Sequence, residues 1–409
     1  MTAGPHPATA EIIVVGGGPA GAATAALLAA RGHEVVVVER TPAYAWRACG
    51  VFASPAAVDA LRRIGLPEDA IDAATRSIPA MRVEAPSSPP FRLTYGDDGS
   101  LRASAVGFDR SVLDPTLLDL AAARGAQVRR GVTCTGVRTT PTGPVATLRD
   151  GTGTAEVRAR LVVGADGIRS VAARSLGVAA PARIGRRIGL TYHVAVPSHP
   201  GAPPPDARMV VVRDGYVGLA PVPGDRVNVG IVLGRSWRPA LAADGADRVA
   251  RRVLRDADEA DPTGTLANAE PTDRITGASP IGHRVTRRSG QGWLLVGDAA
   301  GFLDPFTGEG LHRALISAEL AAIAVDGFLR AEPGALDRYE RAMRARFATK
   351  DVVSLVVQAF LARPRLFAYA ARRLASRDDM RETMGRVMGD LVPASRALDP
   401  RYLAALLRP

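Results

Sequence analysis

Lysine is almost missing from this chain of 409 residues. Of its 52 lysine and arginine side chains, only Lys350 is a lysine. Mechanisms that need a lysine nucleophile or Schiff base therefore have a single candidate. Cysteine is scarce as well. Cys49 and Cys134 are the two present, with no CxxC spacing. That excludes a disulfide framework and a thiolate metal cluster, and it fits a reducing, cytoplasmic compartment. Aromatic residues make up 5% of the chain and do not interleave with basic runs. A net charge of +11 therefore does not amount to a nucleic-acid surface. The sequence holds no metal-ligand spacing and no hydrolytic triad. Its start, MTAGPHPATAE, lacks the basic and apolar segments of a signal peptide. A membrane-length apolar window occurs only at residues 12–30. Glycine or proline at 16–19 and 21 interrupts it, which favours a turn over a span and a soluble protein overall.

What is present is an apolar fraction of 47%, ample for the two or three domains that this length suggests. Residues 11–16 form an apolar run of strand type, Gly17 to Gly21 make a turn, and Ala22 to Arg31 read as a helix stopped by Gly32. With a second strand over Val35 to Glu39, this is a βαβ unit whose strands should be parallel. Ser54 and Pro55 open a helix that runs to Ile64. Another helix spans Arg110 to Arg124, followed by a strand pair over Gln127 to Arg138 and a buried strand at Leu161 to Gly164. Residues 186–233 change character. The runs IGLTYHVAV, ARMVVVR and VNVGIVL are split by Pro/Gly loops, which predicts an antiparallel sheet. In the first of these runs Tyr192 and His193 must point to opposite faces. Asp247 to Asp258 reads as a helix and Trp293 to Val296 as a strand returning to the first domain. Residues 335–409 read as mostly helical, with breaks at Pro364, Pro393 and Pro400. Residues 331–409 also carry much of the excess positive charge, on what the composition predicts to be solvated helix faces.

Three sites carry chemistry. Gly16, Gly18 and Gly21 fit GxGxxG between strand and helix. The first glycine permits the tight turn, the second lets a pyrophosphate approach the backbone, and the third lets helix and strand pack closely. Glu39 ends the next strand, about twenty residues on, where a carboxylate accepts from ribose hydroxyls. Arg40 beside it is the residue type that meets a 2′-phosphate. The second site is LVVGADGIRS, with Asp166-Gly167 after a strand. The third is GDAAGFLDPFTGEGL over residues 297–311. Asp298 follows a strand and is placed to accept from a polyol. Gly308-Glu309-Gly310 then leads into an apolar helix from Leu311 to Phe328, whose N-terminus attracts electron-rich groups.

Together the three sites resemble the large FAD-dependent family with the p-hydroxybenzoate hydroxylase fold, over most of residues 10–330. The fold class so implied is α/β. A Rossmann-like FAD-binding domain is discontinuous over 1–77, 100–180 and 270–330. An inserted antiparallel β-sheet substrate lobe covers 78–99 and 181–269, and a C-terminal helical segment covers 331–409. The resemblance implies an FAD contact set of Gly16, Gly18, Ala20, Gly21, Glu39, Arg40, Cys49, Gly50, Arg110, Asp166, Gly167, Gly297, Asp298, Pro305, Gly308, Gly310 and Leu311. It places Asp166-Gly167 near the pyrophosphate, Asp298 on the ribityl chain, and the helix that begins at Gly310-Leu311 toward flavin N1–C2=O. No second GxGxxG exists, so NAD(P)H would dock transiently as electron donor.

Within that family, aromatic hydroxylases carry histidine after GDAA, where this chain has Gly301. DPFTGEGL, and Cys49-Gly50 ahead of the Ser54-Pro55 helix start, resemble the geranylgeranyl reductase branch instead. Gly218-Leu219-Ala220-Pro221 departs from it by lacking a tryptophan before the proline. Halogenases share DPF but need an active-site lysine. The expectation is hydride transfer through flavin N5 to or from a lipophilic isoprenoid or polyketide-like substrate. The alternative is an NAD(P)H- and oxygen-dependent flavin monooxygenase. Cys49, His312 and Tyr216 are the candidate catalytic residues, and His193 is a further candidate to line the pocket. The apolar C-terminal helices would pack as ordinary core, cover a greasy pocket or make peripheral membrane contact. Nothing in the sequence sets the oligomeric state.

Overall fold

The computed structural model describes residues 8–44, 46, 50–96, 104–182, 187–196, 201–258 and 269–407. Strand Thr9–Val15 lies between strands Val35–Glu39 and Gly153–Gly164, parallel to both. The apolar runs of these strands, Ile12 to Val15, Val35 to Val38 and Leu161 to Val163, are buried and need cover on both faces, and a parallel sheet provides it. Trp293–Leu295 and Gln127–Arg130 continue the parallel order on either side. The expected strand pair over Gln127 to Arg138 is in fact divided. Gln127–Arg130 joins Val35–Glu39, whereas Thr133–Thr140 pairs with Gly143–Asp150 and so with the first half of Gly153–Gly164. Gly131, at φ +74 between the two segments, lets the chain leave one neighbour for another.

Helix α1 (Pro19–Ala29) is buried all round, with Ala22, Ala23, Ala25 and Ala26 inaccessible. Small side chains let it fit closely against its neighbours. Helix α2 (Pro55–Ile64) starts after Ser54 and ends on left-handed Gly65, and α3 (Glu68–Ala74) follows. Helix α4 (Arg110–Ala123) is capped by the Asp109 carboxylate, which accepts from Ser111 N–H at 2.8 Å. The short α5 (Val171–Ser175) follows the parallel strand Gly153–Gly164.

The lobe is built, among the described residues, on seven strands. Their order is Thr276–Ala278, Ile188–Ala195, Arg226–Leu233, Gly215–Val222, Ala207–Val212, Ala80–Glu84 and Phe91–Thr94. All neighbours are antiparallel except the pair Ala207–Val212 and Ala80–Glu84. Helix α6 (Arg238–Asp258) covers one face. It starts nine residues ahead of Asp247 because non-helical Gly245 (φ 79, ψ 169) interrupts it. Tyr192, Leu190, Val194, Val217, Leu219 and Ile231 pack under this helix.

Helix α7 (Gly310–Leu329) packs on α1, and α8 (Ala335–Leu361) packs on α7. Then come α9 (Pro364–Ser376), α10 (Asp378–Met388) and α11 (Pro400–Leu407). Apolar residues of these last three, Ala370, Leu374, Met380 and Leu406 among them, cluster with Val83, Met209, Tyr216 and Val232 on the lobe face opposite α6. The C-terminal helices therefore cover the inner face of the lobe. Among the described residues no single helix is long and apolar enough to cross a membrane.

Candidate functional site

The three glycine-containing turns follow adjacent parallel strands and meet at their carboxyl ends, the edge where open α/β sheets bind ligands. Backbone proximity makes the glycines necessary. A Cβ on Gly16, at φ +106, would lie 2.4 Å from the carbonyl oxygen of Ala165, which directly precedes Asp166. A Cβ on Gly21 would lie 1.9 Å from the carbonyl oxygen of Gly16. Gly297, at φ +56, abuts Ala20 in the first turn of α1, where its own Cβ would come within 2.7 Å. Residues 16–21, 165–167 and 297–298 thus form one groove. Its open side shows at Gly18 and Gly310, where an added Cβ would meet nothing within 4 Å, and Gly50 is exposed.

Glu39 is buried at one end of the groove. Its carboxylate accepts from Gly17 N–H at 2.9 Å, from Thr41 N–H at 3.0 Å and from the Thr41 hydroxyl at 2.7 Å. Thr41, Tyr44, Asp114, Leu118 and Arg130 line the same cleft with Gly17, Gly18 and Glu39. The sequence reading missed these five, since they come from three elements with no shared motif. Arg40 is exposed. In the middle of the groove, Asp166 Oδ2 accepts from Val171 and Ala172 N–H at 2.6 and 3.1 Å, and so caps α5. Its Oδ1 is buried without a hydrogen-bond partner, and a buried acceptor of that kind calls for a donor. Gly167 takes φ +77 beside it.

At the other end, burial pushes the Asp298 carboxyl up to about 6, against the pull of the Arg110 and Arg313 guanidinium groups. Arg110 is also clamped to Asp114 at 2.6 and 2.5 Å. Gly301 has φ +128, a conformation in which a histidine side chain would be strained. Pro305 sits in a single 3₁₀ turn that ends on Gly308 (φ +67), whose Cβ would lie 2.4 Å from the Phe52 ring. Helix α7 begins at Gly310 with no side-chain cap, so its first N–H groups lack an intrahelical partner. Leu311 is buried behind them.

The three candidate catalytic residues are placed differently. Cys49 lies outside the described residues. The Tyr216 hydroxyl donates to Asp304, whose same oxygen takes Gln358 Nε2 at 2.7 Å and Phe306 N–H at 3.0 Å. Burial raises both the Tyr216 phenol and the Asp304 carboxyl. His312 is buried, with Nδ1 at 2.9 Å from Asp390 and Nε2 at 3.4 Å from Arg346. Both its nitrogens are thus engaged by the C-terminal segment. His193 lies on the lobe face opposite Tyr192. Its Nδ1 is 2.6 Å from Asp273, and its ring is 4.4 Å from that of Trp46. Cys134 is buried in the main core, with its thiol pushed up to about 11. Among the described residues no group of His, Cys, Asp or Glu is arranged to hold a metal ion.

A Rossmann-type sheet with a second, sheet-built lobe, a glycine turn on a helix N-terminus and a carboxylate at the next strand end define a dinucleotide-dependent oxidoreductase. The unpartnered Asp166 oxygen, which a dinucleotide hydroxyl would satisfy, and the clearance at Gly18 and Gly310 fit an extended dinucleotide laid along the groove. The chain belongs to the FAD binding domain family, whose model matches residues 9–353. It is similar to the menaquinone reductase of Mycolicibacterium smegmatis, with 30% identity over 328 residues that cover 76% of this chain and 75% of that one. It is also similar to digeranylgeranylglycerophospholipid reductase 1 of Methanopyrus kandleri, with 28% identity over 365 residues covering 82% and 88%. Among solved structures, the flavin-dependent halogenase CmlS matches with a TM-score of 0.75 and 26% identity, over 84% of this chain and 63% of the halogenase. The protein is an FAD-dependent oxidoreductase, and it is similar to proteins named as reductases, the branch its motifs resemble.

Proposed function

We propose that the enzyme reduces or dehydrogenates a carbon–carbon double bond in a lipophilic, isoprenoid-bearing small molecule. NAD(P)H would serve as a transient electron donor. The observation that carries this reading is the lobe face opposite α6. Gly218 and Gly230 face each other across two central strands, next to Thr191 on one side and Met209 on the other. Both glycines keep partial exposure in the middle of an otherwise buried sheet, and a Cβ on either meets only ordinary contacts. Phe306, Phe360 and Phe367 join the apolar cluster beside them. Met209, Val232 and these phenylalanines make this part of the face apolar, with Thr191, Asn228 and the His193–Asp273 pair at its polar end, and such a surface suits an isoprenoid chain. Relatives named for menaquinone and geranylgeranyl lipids support the same substrate class.

Bound FAD supplies hydride exchange at flavin N5. The chain's own residues do the rest in this reading. Gly18 and the N-terminus of α1 receive the pyrophosphate, with Asp166 nearby. Glu39 would hold the adenosine ribose and Asp298 the ribityl chain, and the first N–H groups of α7 would favour negative charge on the flavin. Tyr216 is held by Asp304, which Gln358 in turn holds, at the border of the apolar surface. There it orients substrate, and a proton passes more readily through water than from so reluctant a phenol.

The test is anaerobic turnover. Protein reduced with NADPH or dithionite should convert a menaquinone or a geranylgeranyl lipid without oxygen, giving a product changed by two hydrogens. Incorporation of an atom from ¹⁸O₂ into substrate, with no anaerobic turnover, would replace this reading with the monooxygenase one.

A further inference from the structure

The one lysine of the chain is buried, and no role proposed so far uses it. Lys350, on α8, is 5% exposed. Its ammonium donates to Asp390 Oδ1 at 2.8 Å and to the Val387 carbonyl at 2.5 Å, and it lies 3.9 Å from Glu309 Oε1. Asp390 is held in the left-handed region at φ +59. Its second oxygen takes His312 Nδ1 and the Ser54 hydroxyl, each at 2.9 Å. Glu309 takes the Ser354 hydroxyl at 3.4 Å and Arg313 at 3.4 Å, and Arg313 reaches on to Asp351 at 2.5 Å. The charges sit on the first turn of α7 (Glu309, His312, Arg313), on α8 (Arg346, Lys350, Asp351) and after α10 (Asp390). Ser54, at the start of α2, closes the group.

An arrangement of this kind is costly unless every charge is paired, and removing one partner exposes the other. Here the pairing runs from the C-terminal helices to three residues at the start of α7, Glu309, His312 and Arg313. It reaches further, because Arg313 acts electrostatically on Asp298 in the groove. The state of these charges is thus felt along the edge where the helix N-terminus meets the cofactor.

We propose that Lys350 and Asp390 are positioning residues that clamp the start of α7 and set the electrostatic potential at the flavin end of the groove. This rests on the reading that α7 points its N-terminus at the flavin. Lys350 offsets the carboxylates of Asp390 and Glu309. Without it, their negative charge opposes formation of the anionic reduced cofactor. Asp390 has the opposite effect, so the two residues act with opposite sign.

The experiment is spectroelectrochemical titration of FAD-loaded wild type and four variants: Lys350→Met, Asp390→Asn, the double variant, and Lys350→Arg. Lys350→Met should shift the midpoint potential down and Asp390→Asn should shift it up. The double variant and Lys350→Arg should return close to wild type. Each single change should alter the ratio of reduced- to oxidised-FAD affinity by about tenfold. Single shifts of the same sign, or no shift with FAD still bound, would overturn the proposal. If Lys350→Met does not fold, Asp390→Asn and the double variant, which leaves no unpaired charge from the pair, still carry the test. Gly310→Asp separates this idea from the reading beneath it. That variant puts a carboxylate where nothing lies within 4 Å. If it lowers the potential while the Lys350 and Asp390 variants do not, the clamp alone fails. If none of them moves it, α7 does not face the flavin.

Discussion

Individual side chains in the groove are held by a few contacts whose loss is measurable. Glu39 accepts the buried Gly17 N–H, so Glu39→Ala removes an acceptor from the turn and, on the proposed reading, from the ribose site as well. Each such loss costs about 1–3 kcal/mol. We expect the FAD dissociation constant to rise about 10- to 100-fold, read by equilibrium dialysis, and unchanged retention would refute the ribose role. Asp298 makes a different prediction. Its carboxyl ionises near 3.8 in the unfolded chain and near 6 in the fold. The folded apoprotein therefore holds this proton more tightly than the unfolded chain does. Stability contributed by this residue falls as pH rises from about 4 to about 6. In Asp298→Asn that fall should disappear from the apoprotein's denaturation profile, while FAD binding weakens. An unchanged slope would show that the raised ionisation lies elsewhere.

At the scale of elements, the decisive feature is that each face of the lobe sheet has its own partner. Period-2 alternation required Tyr192 and His193 to part. The structure puts Tyr192 under α6, and His193 opposite with Asp273 and Trp46. No local pattern chooses between the two, because both faces are apolar and both are covered. The glycines Gly218 and Gly230 sit on the face away from α6. Gly230→Leu should leave FAD retention unchanged and raise KM for a long isoprenoid substrate about tenfold or more, since a pocket discriminates at that level for small changes of volume. Equal KM for long and short substrates in that variant would move the substrate site elsewhere.

The whole molecule is joined at a few close approaches. A Cβ on Gly107, in strand Ala105–Phe108, would lie 1.8 Å from the Pro221 carbonyl of the lobe. Nearby, Arg226 of the lobe pairs with Asp109, the cap of α4. Gly107→Ala should therefore destabilise the protein by about 1–3 kcal/mol, seen as a lower Tm and a loosened lobe in limited proteolysis. An unchanged Tm would mean the two parts can shift at no cost. The same scale explains what was hard to read. The glycine motifs, the βαβ unit and the acid at position 39 are local in sequence and were legible there. Tyr216 with Asp304, His312 with Asp390, and Lys350 with both Asp390 and Glu309 join residues far apart in the chain. A sequence pattern shows that each is polar and helical or extended, and it is silent on the partner.

By itself the sequence determined the parallel sheet, the three glycine turns that line its groove and the largely antiparallel lobe strands, because short-range periodicity and glycine spacing fix backbone conformation residue by residue. Only the tertiary structure decided which face of the lobe is inward. It also showed that the C-terminal helices roof that face, and that Lys350 is buried behind the first turn of α7. Those outcomes depend on which distant surfaces exclude water together and which buried charges find a partner, and both are properties of the assembled fold.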